Sequence, residues 1–258
     1  MSTFLFDQII FGPIKSRRLG SSLGINLLPT EKKVCNFNCI YCECGWTEPS
    51  DIKSSLPSVQ VVKEQLEIKL KELKDSNSKL DVITFAGNGE PTMHPGFSEI
   101  IDNTIALRNQ YFPSTKVAVL SNSTLIHKKN VFDALQRVDQ NILKLDSGVE
   151  ATCKALNKPV GQFSLKRLVD GLKKFKGNVI IQTLFMKGNY ESIHIDNTTD
   201  EEVKKWLGII EEVKPKQVML YSLARDTPAS GLEKVSGKVL KGIAQKVEAL
   251  GIPVQIAE

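Results

Sequence analysis

The sequence has no run approaching the roughly 18 consecutive apolar residues that a bilayer-spanning helix needs, so no membrane span is expected. It has no basic leader ahead of an apolar stretch and no small-residue cleavage site: residues 1–11 are largely apolar but broken by Asp7 and Gln8. A signal peptide is therefore not expected, and a cytoplasmic protein is. Long blocks of one charge are missing too, since 34 Lys and Arg mingle with 29 Asp and Glu for a net charge of +5. That mild excess leaves a nucleic-acid partner possible but not favoured, because no basic tract or arginine-rich arm accompanies it. Low-complexity linkers and short repeats are absent, which excludes a solenoid.

What is there is an ordinary globular balance, 41% hydrophobic and 24% charged, enough to bury a core without staples. Short β-branched runs alternate with helix-length segments. The first strand is expected around Leu23, Ile25 and Leu27. Pro57 and Ser58 then open a helix whose apolar positions Val59, Val62, Leu66, Leu70 and Leu73 recur at spacings of three and four. Further strands are expected over 81–86, 116–120, 142–145, 179–185 and 217–221, with a short seventh over 252–256. Helices are expected over 96–109, 129–138, 163–174, 200–213 (capped by Asp200) and 237–250.

Such alternation implies a parallel sheet with right-handed crossovers. Six units are too few to close a ring of eight, so the expected fold is α/β: a partial (β/α)6 TIM-like barrel, open on one side. A doubly wound open sheet is the rival. The chain reads as one domain over 1–258, with 1–20 an N-terminal extension, 21–225 the barrel core, and 226–258 a C-terminal helix and short strand. In either architecture the chemistry belongs at the carboxyl ends of the strands.

The unusual residues fall at those ends. Of five cysteines, four lie at 35, 39, 42 and 44, and an odd, clustered set in a cytoplasmic protein points to metal, not disulfides. The spacing of Cys35, Cys39 and Cys42 lets one loop wrap a cube-shaped iron–sulfur cluster, each thiolate reaching a different iron. Three thiolates leave one iron with an open position, whereas four close the cluster. Cys44 as a fourth ligand would instead give a zinc or electron-transfer module without enzymatic activity. Cys153 stands alone and is expected to be buried as a small apolar residue. After the second strand comes Gly87-Asn88-Gly89-Glu90-Pro91-Thr92, where two glycines allow close backbone approach. A surface loop charge is the lesser alternative for Glu90, and His94 is expected to be a loop residue and not a catalytic one.

Ser121 and Asn122 end the third strand. Lys144 and Asp146 bracket the end of the fourth: a lysine in an apolar run needs a partner, which Asp146 supplies if both point inward, and otherwise Lys144 points outward and Asp146 caps a turn. Gln182 and Thr183 face either the site or an outer polar surface. Tyr221, Ser222 and Arg225 follow the sixth strand. Arg17 and Arg18 are expected near the barrel mouth, where they could hold an acidic substrate group or simply be solvated. No residue is assigned to the catalytic step on the substrate.

The pattern Cys-x3-Cys-x2-Cys with Tyr41 before the last cysteine resembles the radical S-adenosylmethionine superfamily. The Gly-x-Gly-Glu-Pro turn, Ser16-Arg-Arg-Leu-Gly20, Leu145-Asp-Ser-Gly148 and Leu156-Asn-Lys-Pro159 resemble its branch of wyosine-base-forming iron–sulfur oxidoreductases. The resemblance implies a [4Fe–4S] cluster on Cys35, Cys39 and Cys42. Its open iron would bind S-adenosylmethionine, and reductive cleavage would yield a 5′-deoxyadenosyl radical that takes hydrogen from a substrate. It implies cofactor contacts at Tyr41, Gly87, Asn88, Gly89, Glu90, Ser121, Asn122, Lys144, Asp146 and Gln182, and an electron donor such as flavodoxin or ferredoxin. A tRNA-acting wyosine enzyme is expected to carry a further cysteine set ahead of the first; none precedes Cys35, so tRNA is not assigned. An activating enzyme that installs a glycyl radical on a partner protein is the alternative activity.

Overall fold

The computed structural model describes residues 4–47 and 56–257; the two ends of the expected domain lie outside them. It opens with a hairpin of β1 (Ile10–Ser16) and β2 (Gly20–Ile25). There follow α1 (Val59–Asp75), β3 (Val82–Phe85), α2 (Phe97–Tyr111), β4 (Lys116–Ser121), α3 (Lys129–Arg137) and β5 (Gln140–Lys144). Next come α4 (Glu150–Asn157), α5 (Leu165–Lys173), β6 (Ile180–Leu184), β7 (Met186–Tyr190) and β8 (Ile193–Asp196). The chain ends with α6 (Asp200–Val213), β9 (Gln217–Tyr221), β10 (Leu232–Lys234), α7 (Gly237–Glu248) and β11 (Val254–Ala257).

The main sheet has the order β1-β2-β3-β4-β5-β6-β9-β11. Every pairing from β2 onward is parallel; only β1 runs antiparallel. β1 and β11 remain at the two edges, so the curled sheet is a partial barrel, as expected. Across the gap the Gln255 amide donates to the Arg18 carbonyl at 2.9 Å.

Strand alternation sorts the core into two layers. Outward residues such as Leu23, Ile83, Val117, Leu143, Ile181 and Val218 meet the helices, including the α1 stripe Val62, Leu66, Leu70 and Leu73. Inward residues Val82, Ala118, Ile142, Ile180 and Met219, with Leu19 from the hairpin turn, fill the lower lumen. Each parallel strand is thus covered on both faces, which is why these segments read as near-continuous apolar runs.

Several boundaries differ from expectation. Thr199, not Asp200, caps α6, its hydroxyl accepting from the Glu202 N–H; a hydroxyl in extended backbone just before the first turn suits that position. The helix expected over 163–174 starts after Ser164, which caps it. Helix α4, strand β1 and the small antiparallel sheet β10-β7-β8 were not anticipated.

Candidate active site

The cysteine loop and the glycine turn are joined edge to edge. Val34 and Gly89 form a parallel bridge. The Val34 N–H donates to the Asn88 carbonyl at 2.8 Å, and the Glu90 N–H donates to the Val34 carbonyl at 3.1 Å. Gly89 sits at φ +140°, where a Cβ would fall 1.8 Å from the Val34 carbonyl oxygen. Only a residue without Cβ permits this approach. Asn88 faces away from the cleft: its side chain accepts from the Phe6 N–H and donates to the Phe6 and Pro29 carbonyls, all at 2.8–2.9 Å. Its role here is to tie the N-terminal segment beneath the turn.

The three cysteines of the expected ligand set are surrounded by donors. Cys35 Sγ accepts from the Phe37 N–H at 3.3 Å and from the Asn122 amide at 3.6 Å; Cys39 Sγ accepts from the Asn157 amide at 3.5 Å. Burial, reinforced by Glu90 and Cys39, pushes the Cys35 thiol up to about 12, and burial pushes Cys39 up to about 11. Buried thiols with such values ionise only when a cation compensates them, and amide donors to sulfur stabilise the ionised form. Both features fit ligands of an iron–sulfur cluster. Cys42 is held low by a hydrogen bond from Cys44 and by the Lys33 charge, against the effect of burial. Lys33 is itself buried and donates to the Gly45 carbonyl at 2.8 Å. Cys44 Sγ lies 3.5 Å from the Gly87 carbonyl, aimed at the glycine turn.

Glu90 is 2% exposed and not a surface charge. Its carboxylate accepts from the Thr92 N–H and hydroxyl, from Ser121 Oγ at 2.9 Å, and from the Asn122 N–H at 2.6 Å. Burial raises it while those donors pull it down. Glu90 therefore braces the glycine turn against the end of β4. Asn122 carries the brace onward, its amide reaching Asn36 Oδ1 at 2.7 Å as well as Cys35.

A second buried network meets the loop from the other side. The Tyr41 hydroxyl donates to Asp146, Lys144 Nζ lies 3.2 Å from Asp146 Oδ2 and 2.5 Å from the Tyr41 oxygen, and the Asn157 amide donates to Asp146 at 2.8 Å. The inward Lys144–Asp146 pair is thus present. Burial works most strongly against the Lys144 charge, but Asp146, Tyr221 and Cys39 together outweigh it and raise the ammonium. Asn157 lies in the Leu156–Pro159 stretch, whose carbonyls accept from Asn38 and Ile40 of the loop. Sequence reasoning missed Lys33, Asn36 and Asn157. Asn36 and Asn157 lie inside the cysteine loop and the Leu156–Pro159 stretch, but only as positions to which the pattern assigns no role.

Two adjoining cavities, about 290 and 520 Å³, occupy the barrel. The smaller lies against Tyr41, Cys42, Gly87, Gly89 and Tyr221, beside the glycine turn. The larger continues into the lumen. Gln182 lines both, whereas Thr183 points outward and accepts from the Trp206 indole at 3.1 Å. Arg225 pairs with Glu43 at 2.6 Å. Arg17 and Arg18 do not begin at the mouth. Their turn precedes β2, at the amino ends of the strands, and Arg18 reaches up from there to place its guanidinium 4.8 Å over the Tyr221 ring. His94 is a loop residue bonded to Pro57 and Gly96, and Cys153 is buried.

Residues 33–215 match the family model of the radical SAM superfamily. A protein named GTPase Obg from Brachyspira hyodysenteriae is 32% identical over 222 residues, 84% of this chain and 30% of that one. A UPF0026 protein of Helicobacter pylori is 31% identical over 188 residues, 71% of this chain and 58% of that one. The chain therefore spans less than two thirds of either relative. A UPF0026 protein of Synechocystis is 27% identical over 275 residues and is covered over 96% of both chains. Among solved structures, a radical SAM methyltransferase from Sphaerobacter thermophilus superposes with a TM-score of 0.66 at 14% identity, over 91% of this chain and 65% of that one. Archaeal TYW1 superposes with a TM-score of 0.56 at 15% identity, over 92% and 73%. At these identities the superpositions speak for the fold alone. With the matched span running from just before Cys35 to just before β9, the chain belongs to the radical SAM superfamily, whose enzymes use a [4Fe–4S] cluster and S-adenosylmethionine.

Proposed function

We propose that this chain is a single-domain enzyme in which Cys35, Cys39 and Cys42 hold the cluster, and the cavity beside the glycine turn holds S-adenosylmethionine. The observation that carries this reading is the Val34–Gly89 bridge, which fixes the cysteine loop against the glycine turn at the mouth of the 290 Å³ cavity. When bound, the cluster and cofactor supply one-electron cleavage of a sulfonium and abstraction of hydrogen from a substrate.

The protein's own residues position and enclose. Gly87 and Gly89 let the turn approach the cavity, and the backbone carbonyls beside it suit a protonated amine, which needs acceptors only. Glu90, through Ser121 and Asn122, holds that turn in register with Cys35. Tyr41, Lys144 and Asp146 hold the rear of the loop, and Gln182 faces the cavity. The lumen receives the substrate and excludes water and stray hydrogen donors. A reductant such as flavodoxin or ferredoxin supplies the electron. Among the described residues no helix is long and apolar enough to cross a membrane, which accords with a cytoplasmic enzyme.

The test is anaerobic reconstitution with iron and sulfide, reduction, and addition of S-adenosylmethionine. The expected product is 5′-deoxyadenosine, formed by the wild type and not by Cys39→Ala. A reconstituted protein that leaves the cofactor intact counts against the proposal.

A further inference from the structure

The larger cavity contains two buried donors with no acceptor. Arg18 Nη1 and Gln182 Nε2 are both shut off from solvent and lack any hydrogen-bond partner among the described residues. Both residues line the same pair of adjoining cavities. Gln182 is 9% exposed and projects inward from β6, in register with Met219 of β9. Arg18 comes from below, its guanidinium resting on the ring of Tyr221, two residues beyond Met219. Unpaired buried N–H groups are rare because each loses its hydration without replacement. Two of them on residues that line one chamber mark a place where a small local shift would bring acceptor oxygens into reach.

The remaining lining says what carries those oxygens. Phe6, Phe11, Ile14, Leu120, Ile142 and Met219 make much of the chamber wall apolar, and the hydroxyls of Ser22 and Thr84, also on it, satisfy each other at 2.8 Å. Lys15 and Arg17 lie on the same side as Arg18, whereas the acidic Glu43 is already paired with Arg225. The chamber therefore combines a partly apolar wall with one cationic and one neutral donor. A carboxylate has two acceptor oxygens and no donor, matching one guanidinium N–H and one amide N–H.

We infer that Arg18 and Gln182 bind the carboxylate of a small substrate whose apolar body occupies the lumen. The inference rests on the reading of the lumen as the substrate chamber, and it moves Gln182 from the cofactor to the substrate.

The test uses the reconstituted enzyme saturated with S-adenosylmethionine, titrated calorimetrically with hexanoate, its neutral counterpart hexanamide, and hexyl phosphate. The wild type is expected to prefer hexanoate over hexanamide by about tenfold, the usual scale for a charge-assisted contact. Arg18→Gln should abolish the preference, Gln182→Leu should reduce it several-fold, and Arg18→Lys should retain part of it, which separates lost charge from misfolding. Equal affinity for the acid and the amide in the wild type, or an unchanged preference in both Arg18→Gln and Gln182→Leu, would overturn the inference. Tighter binding of hexyl phosphate overturns the carboxylate assignment. Hexanoate that binds the cofactor-free enzyme but not the enzyme saturated with S-adenosylmethionine also overturns it, by giving Arg18 to the cofactor's own carboxylate. Because binding is read without turnover, a wild type that prefers hexanoate but never forms 5′-deoxyadenosine keeps this site and sinks the proposed function.

Discussion

Tyr41 and Asp146 are 105 residues apart in sequence, yet the tyrosine hydroxyl donates directly to the aspartate carboxylate. Asp146 also accepts from Asn157 and, through its other oxygen, from the Leu184 N–H at 3.1 Å. One carboxylate thereby joins the cysteine loop, the end of β5, the end of α4 and β6.

Removing that carboxylate strands the Lys144 ammonium. Asp146→Ala is expected to cost about 3 kcal/mol, the low end for a broken buried pair because Lys144 keeps some solvent contact. The double variant Lys144→Met/Asp146→Leu should recover much of the loss, since no unpaired charge remains. Urea unfolding of the iron-free protein measures both. A double variant no more stable than Asp146→Ala would show that the hydrogen bonds to Tyr41 and Asn157, not the ion pair, dominate.

Gly89 permits no side chain. With a Cβ position 1.8 Å from the Val34 oxygen at φ +140°, Gly89→Ala must break the bridge, at a cost on the order of 3 kcal/mol. Equilibrium dialysis of S-adenosylmethionine against the reconstituted variant should show lost cofactor binding even where iron content is retained. Unchanged stability would mean that the bridge does not hold the loop.

His94 gives a pH signature. Burial keeps its imidazole below the ordinary value of 6.5, against the opposing Pro57 carbonyl. In the window just below 6.5 the unfolded chain therefore binds more protons than the folded one, so stability falls as pH falls through it. His94→Gln, which cannot titrate, should flatten that part of the stability–pH curve. An identical slope in the variant would assign the acid sensitivity to other groups.

The barrel was legible because parallel strands covered on both faces carry apolar runs long enough to see, as Val179–Phe185 does. The hairpin β7–β8 and strand β10 were not, since Lys187-Gly-Asn-Tyr190 and Leu232-Glu-Lys234 are half-exposed and lack that signal. Helix α4 is only 8 residues long, too short for a clear stripe. At the site, spacing singled out Cys35, Cys39 and Cys42 as candidates, because one short loop carries them all. The partners of those residues were hidden: Asn36, Asn157 and Lys33 become informative only once the fold brings their side chains to the loop. Arg18 reaches the expected cavity by its side chain alone, because a hairpin turn at the floor can send a long side chain upward. Asn88 and Glu90 sit in the expected motif, but their side chains serve the scaffold around it.

The central claim is that three thiolates leave one iron open beside the glycine turn. The most direct measurement is electron paramagnetic resonance of the reduced cluster, recorded with and without S-adenosylmethionine, in the wild type and in Cys44→Ala. The account predicts a signal whose g-values shift on adding the cofactor in both proteins. A wild-type signal that the cofactor leaves unmoved, together with loss of the cluster in Cys44→Ala, would contradict it.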